Sequence, residues 1–193
     1  MGIYEFAGCV VSYEPLYGLL RRRMETYRSD TEGQPDITLD GTKEDYEKLR
    51  KQYPHLSIEE CEYSCAGAEF YMKLLKHQGF MIHASAVEKE GKAYLFSAPS
   101  GTGKSTHAQL WRQTFKGEPI RIINDDKPAV CLQNGVFYAC GTPFSGKTDK
   151  NENRKAPIQG LCMLHRGKTN KIQKITFGGS SSSDIAADII LRR

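Results

Sequence analysis

No window of the 193-residue chain approaches the ~18 consecutive apolar residues that a membrane-crossing helix needs. The opening "MGIYEFAGCVVSYEP" has no basic leader, carries Glu5 early and has only a short apolar run, so it does not read as a secretory signal. It also lacks the Ser or Thr that myristoylation requires near its sixth position. These absences predict a soluble, cytoplasmic protein with no membrane partner. Charge of one sign is scarce as well. The formal net charge is +4, and the only basic cluster, Arg21-Arg22-Arg23, reads as a solvated helix face, so nucleic acid is not an expected partner. Six cysteines are present, but Cys61 and Cys65 have no second Cys/His pair at zinc-ligand spacing. They are expected to be reduced thiols on a helix, with no metal. Internal repeats are also missing.

What is there is an ordinary globular composition, with 39% hydrophobic and 26% charged residues, enough for a core and an appendage. The predicted fold class is α/β: a mixed β-sheet with a phosphate-loop strand–loop–helix core and a small N-terminal α+β region. Residues 1–79 form that region. "IYEFAGCVVSY" is expected as a strand, "EPLYGLLRRRMETY" as a helix and residues 37–39 as a short strand. A helix follows with Thr42 as N-cap and a Glu44–Lys48 pair, ending before Pro54. Another is expected over "AEFYMKLLKHQG", with Phe70, Leu74 and Leu75 on one face and Gly79 as its stop.

Residues 80–177 are expected to be the nucleotide-binding core. "FMIHASAV" and "KAYLFSA", joined by "EKEGK", predict a hairpin, and "AVCLQNGVFYAC" predicts another around Asn134-Gly135. "IRIIND" and "APIQGLCMLHRG" are further strands. Residues 178–193 read as a flexible Ser-rich tail, its last ten residues able to form a short helix.

The segment "SAPSGTGKSTH" carries the chemistry. Against the Walker A pattern G-x-x-x-x-G-K-[ST], Gly103, Lys104 and Ser105 fit, whereas Ala98 takes the first glycine position. Gly101 and Gly103 let backbone N–H groups of Ser100, Gly101, Thr102, Gly103, Lys104, Ser105 and Thr106 converge on phosphate oxygens with no Cβ in the way. Lys104 can reach the terminal phosphates, and the Ser105 hydroxyl can ligate Mg²⁺. An apolar strand enters the loop and an amphipathic helix, with Ala108, Trp111 and Phe115 on one face, leaves it, so the helix N-terminus faces the anion.

A nucleotide's magnesium needs an acidic partner, usually at the end of a neighbouring strand. "RIINDDKP" supplies Asp125 and Asp126. One carboxylate can hold metal while the other accepts a proton from an attacking hydroxyl. His83 is equally compatible with a satisfied edge histidine and with a position near the metal. "NDDK" is not the guanine-reading order, so nothing points to GTP.

Together, "HASAV-EKEGKAYLF-SAPSGTGKSTH" and "IINDD" resemble the superfamily of HPr kinase/phosphorylase and ATP-dependent phosphoenolpyruvate carboxykinase, in particular its HPr kinase-like proteins. "YACGTPFSGK…N…APIQGLCMLHRG" continues the likeness, which spans about half the chain. The resemblance implies ATP and Mg²⁺, with the loop from Ser100 to Thr106 on the triphosphate and Lys104 on the transferred phosphate. It implies Ser105 and Asp126 on Mg²⁺, Asp125 as general base, His83 near the metal or phosphate, and Lys147 as a further cation. Homo-oligomers are common in that family. This chain departs from the pattern at Ala98, in having no evident HPr-binding and phosphorolysis segment after Gly141, and in its Ser-rich tail.

The function implied is a kinase that moves the γ-phosphoryl group of ATP to a hydroxyl on a protein, peptide or small molecule. The alternative is a nucleotide-binding regulatory protein, or inactive pseudokinase, without phosphotransfer. Carboxykinase chemistry on oxaloacetate needs a substrate domain larger than the N-terminal appendage.

Overall fold

The computed structural model describes residues 1–115, 117, 119–174 and 186–192, the last stretch for its backbone. The chain begins with an antiparallel hairpin, β1 (Gly2–Phe6) and β2 (Cys9–Tyr13). A single strand was expected here, but Ala7 (φ 53°) and Gly8 (φ 75°) both occupy the left-handed region, the backbone of a two-residue turn that reverses the chain. Strand β3 (Ile37–Thr38) adds in parallel to β2. Helix α1 (Gly18–Met24) runs into a 3₁₀ turn over Glu25–Tyr27.

Helix α2 (Lys43–Gln52) starts at the expected Thr42 cap, where Thr42 and Asp45 form a capping box and satisfy two of the end's orphan donors. Lys48 faces Asp45 at 3.8 Å. Helix α3 (Ile58–Leu74) starts well before residue 68, at a second capping box of Ser57 and Glu60. Its buried face includes the small residues Cys61, Ala66 and Gly67, which blur the 3.6-residue hydrophobic period. Phe70 and Leu74 are buried as expected, whereas Leu75 is exposed on a 3₁₀ turn that ends at left-handed Gln78.

The larger sheet contains β4 (Gly79–Met81), β5 (Ala84–Lys89), β6 (Lys92–Ser97), β7 (Arg121–Asp126), β8 (Ala129–Gln133), β9 (Val136–Cys140) and β10 (Lys155–Gly167). The spatial order is β4-β8-β9-β10-β6-β5-β7. "FMIHASAV" is thus divided: β4 pairs with β8, and β5 with β6 and β7. The two expected hairpin turns form at Glu90-Gly91 and Asn134-Gly135, each with both φ angles positive. Strand β11 (Lys171–Lys174) pairs with β12 (Ala186–Arg192), which also lies parallel to β10. That strand replaces the expected terminal helix, in keeping with the β-prone run Ile189-Ile190-Leu191. The linker part of the tail, 178–185, lies outside the described residues. The fold is mixed α/β, with α4 (Lys104–Thr114) packed on the sheet through Ala108 and Trp111 against Phe96 and Ile122.

A second core joins the N-terminal sheet and α3 to β8, β9 and the segment after them. Phe6, Phe70 and Phe144 meet there, with ring centroids 4.7 Å (Phe6–Phe70) and 5.8 Å (Phe70–Phe144) apart. This contact brings α1 and α3 over the sheet end that carries the phosphate loop. Among the described residues, no helix is long and apolar enough to cross a membrane.

Candidate active site

Strand β5 is antiparallel to both β6 and β7. Strands β6 and β7 therefore run the same way and end at the same sheet edge, where open α/β sheets usually bind ligands. The phosphate loop follows β6, Asp125 and Asp126 close β7, and His83 and Ser85 lie at the start of β5. A cavity of about 840 Å³ opens there, a volume within the usual range for small-molecule sites.

In the loop, Gly101 (φ 76°) and Gly103 (φ 117°) take left-handed backbone, and an added Cβ at either would meet nothing within 4 Å. Both positions therefore need glycine for their backbone conformation, and neither projects a side chain into the open space beside the loop; the Gly101 carbonyl accepts from Arg166. Ala98 is not among the residues with positive φ, so the loop turns without the missing glycine. Helix α4 begins at Lys104, whose side chain is largely buried and donates from Nζ to the Ala98 carbonyl at 3.0 Å. Ser100, Gly101, Gly103, Lys104, Ser105 and Thr106 line the cavity. Thr102 of the expected set instead donates its N–H to the Pro99 carbonyl at 3.3 Å. One turn into α4, His107 packs edge-on against Phe96, with centroids 4.4 Å apart. Both its ring nitrogens are buried without a partner, and burial holds its pKa below the ordinary value.

Asp125 is nearly inaccessible, at 3% exposure. Ser85, wholly buried and opposite it in the β5–β7 register, donates to Oδ1. The Thr148 hydroxyl donates to Oδ2 at 2.9 Å. Asp126 is more open and is flanked by two cations or potential cations. His83 Nε2 lies 3.2 Å from its Oδ1, and Lys127 Nζ lies 3.4 Å from its Oδ2. The two carboxylates thus differ in setting, one enclosed by hydroxyls and one facing the cavity among nitrogens.

The loop over residues 145–149 closes the site from the other side. Gly146 (φ 70°) passes so near Asp126 that an added Cβ would lie 2.7 Å from Oδ2. Its N–H donates to the Tyr63 hydroxyl at 3.1 Å, and its carbonyl accepts from Arg23 at 2.8 Å. Arg23 Nε also lies 2.9 Å from Asp149 Oδ1, close enough for an ion pair although the N–H does not point along that line. The Arg23 guanidinium and Lys127 Nζ sit 4.9 Å and 5.4 Å from the Tyr63 ring centroid, within cation–π range.

The structure therefore brings His83, Lys104, Ser105, Asp125, Asp126 and Lys147 to one cavity. Ser85, Thr148, Gly146, Tyr63 and Arg23 were not singled out by sequence reasoning. Ser85 had a usable signal, since i, i+2 spacing from His83 in a strand puts both on one face. Arg23 corrects the reading of its triplet as a solvated face, because its side chain is 8% exposed. Among the described residues, no group of three or more His, Cys, Asp or Glu is arranged to hold a metal, and all six cysteines are free thiols.

No family model matches the chain, and no curated protein matches it. Among solved structures, the Hpr(Ser) kinase/phosphatase from Coxiella burnetii is similar to it over 58% of this chain and 85% of that one, at 13% sequence identity and a TM-score of 0.37.

Proposed function

We propose that the protein is an ATP-dependent kinase that transfers the γ-phosphoryl group to a hydroxyl. The observation that carries this reading is the convergence of two independent elements on one cavity. Lys104 and Ser105 arrive at a helix N-terminus behind a glycine loop, and Asp125 and Asp126 arrive at the end of a separate strand. A loop, a lysine and a dipole suit a polyphosphate, while a paired carboxylate is what phosphoryl transfer adds to phosphate binding.

Residues 80–177 would form the nucleotide-binding core, and residues 1–79 contribute α1 and α3 side chains to the cavity wall. The Cβ-free cradle at Gly101 and Gly103 fits a triphosphate. Mg²⁺ usually binds through one or two protein oxygens plus substrate phosphates, and the Ser105 hydroxyl and the Asp126 carboxylate are the groups that would hold it. When bound, Mg²⁺ neutralises charge on the phosphates. Lys104 exchanges its Ala98 carbonyl partner for phosphate oxygens. Asp125 accepts the acceptor's proton at Oδ2, whose hydroxyl partner Thr148 is exposed, whereas the Oδ1 partner Ser85 is wholly buried. His83 orients Asp126 through the 3.2 Å contact, and Lys147 adds positive charge at the cavity rim.

The test is a thermal-shift titration with Mg·ATP, Mg·GTP and Mg²⁺ alone. At 100 times Kd, a ligand specific for the folded state stabilises by about 2.7 kcal/mol, which raises Tm by roughly 5–11 °C for a chain of this size. Mg·ATP should give that shift in wild type and not in Lys104→Ala. Asp125→Asn should keep the shift and lose ATP turnover. Stabilisation with no turnover in wild type would instead favour a regulatory nucleotide-binding protein. No shift would sink nucleotide binding itself.

A further inference from the structure

We infer, on the kinase reading above, that Thr148 is a phosphoacceptor in the protein's own active site and that the protein phosphorylates itself there. A proton-accepting carboxylate must lie within hydrogen-bond reach of the hydroxyl it activates. Thr148 Oγ1 meets that demand, donating to Asp125 Oδ2 at 2.9 Å. The other carboxylate oxygen is taken by Ser85, which is wholly buried within a paired strand. An outside hydroxyl reaching Asp125 would have to displace Thr148 first.

The placement of Thr148 is imposed by the fold. The N-terminal helices hold its loop at three points: Tyr63 accepts from the Gly146 N–H, Arg23 donates to the Gly146 carbonyl, and Arg23 pairs with Asp149. Within the loop, the Ser145 hydroxyl donates to Asp149 at 3.2 Å and accepts from Asn151 at 2.9 Å. Thr148 is exposed and lines the same cavity as Lys104 and Ser105. A hydroxyl held against the base, in the cavity that the phosphate loop also lines, is placed as a reactant.

The step balances without a further reactant. Thr148 Oγ1 bonds to the γ-phosphorus, the bond from that phosphorus to the β,γ-bridging oxygen breaks, and ADP leaves. The hydroxyl proton passes to Asp125. The product places a group of charge about −1.5 to −2 beside the carboxylate, which opposes a second turnover at the same position. One phosphate per chain is the expected stoichiometry.

Purified wild type is incubated with Mg·ATP, and its peptides are mapped by mass spectrometry, with the Mg·ATP thermal shift measured on the same sample. The expected result is one phosphoryl group on Thr148, retained in Thr148→Ser and lost in Thr148→Val, Asp125→Asn and Lys104→Ala. Because acceptor and base share a chain, the rate should be first order in protein, and wild type should not label a mass-tagged Lys104→Ala chain in a mixture. A Lys104-dependent thermal shift with Thr148 unmodified, whether or not another residue carries phosphate, overturns Thr148 as the acceptor and leaves the kinase reading standing. Labelling of Lys104→Ala by a second molecule overturns the within-chain geometry. Absence of any thermal shift overturns the nucleotide site, and self-phosphorylation with it.

Discussion

Replacing Gly146 by alanine separates two costs that the structure places at one residue. The first is backbone strain. At φ 70° an L side chain suffers a left-handed penalty of about 1–2 kcal/mol. The second is steric. The new Cβ would lie 2.7 Å, 2.8 Å and 2.9 Å from Oδ2, Cβ and Cγ of Asp126, and overpacking of that kind costs about 1–3 kcal/mol more. The Asp126 carboxylate can swing toward the cavity, but its Cβ is fixed to the backbone of β7 and cannot. Gly91 isolates the first cost, because its φ is 73° and an added Cβ meets nothing within 4 Å. At about 3 °C per kcal/mol for this length, Gly91→Ala should lower Tm by roughly 3–6 °C. Gly146→Ala should lower it by roughly 6–15 °C. Differential scanning calorimetry of the two variants at neutral pH reads the difference. If the two changes cost the same, the close passage of Gly146 over Asp126 is not a feature of the folded protein. Gly146→Ala should also weaken Mg·ATP stabilisation, which Gly91→Ala should leave intact.

Two further predictions concern buried titratable groups. Glu62 is wholly buried, and burial pushes its carboxyl up although Leu16 N–H, Tyr17 N–H and the Tyr13 hydroxyl donate to it. A raised folded value means that the stabilisation is present below the unfolded value of about 4.3 and fades as pH rises through the folded value. The Tm of wild type relative to Glu62→Gln should therefore fall from pH 4 toward neutrality, and a pH-independent difference would refute this. His107 has the opposite sign. Burial depresses its pKa, so stability should drop as pH falls below about 6.5. His107→Leu should remove that acid sensitivity and, by deleting two unpartnered ring nitrogens, should stabilise by about 1 kcal/mol in urea denaturation at neutral pH.

The sequence by itself determined the parts whose physics is local. An apolar strand, two glycines, a lysine and an amphipathic helix in succession describe the phosphate loop, and α4 begins at Lys104. The Thr42 cap and the Asn134-Gly135 turn are equally local, because each satisfies or reverses the backbone within four residues. Tertiary structure decided everything that depended on which distant segments meet. The β1–β2 reversal rests on Ala7 entering the left-handed region, a conformation uncommon for non-glycine residues and one that alanine, unlike asparagine, does not signal in a sequence. Residues 186–192 form a strand where β10 offers an edge to pair with. Asp125 was legible as an acid at a strand end. Its enclosure by Ser85 and Thr148 was not, since three segments must converge on one carboxylate. Arg23 shows the limit most directly: three consecutive arginines look alike in sequence, and only the fold turns one of them inward to hold the loop beside the base.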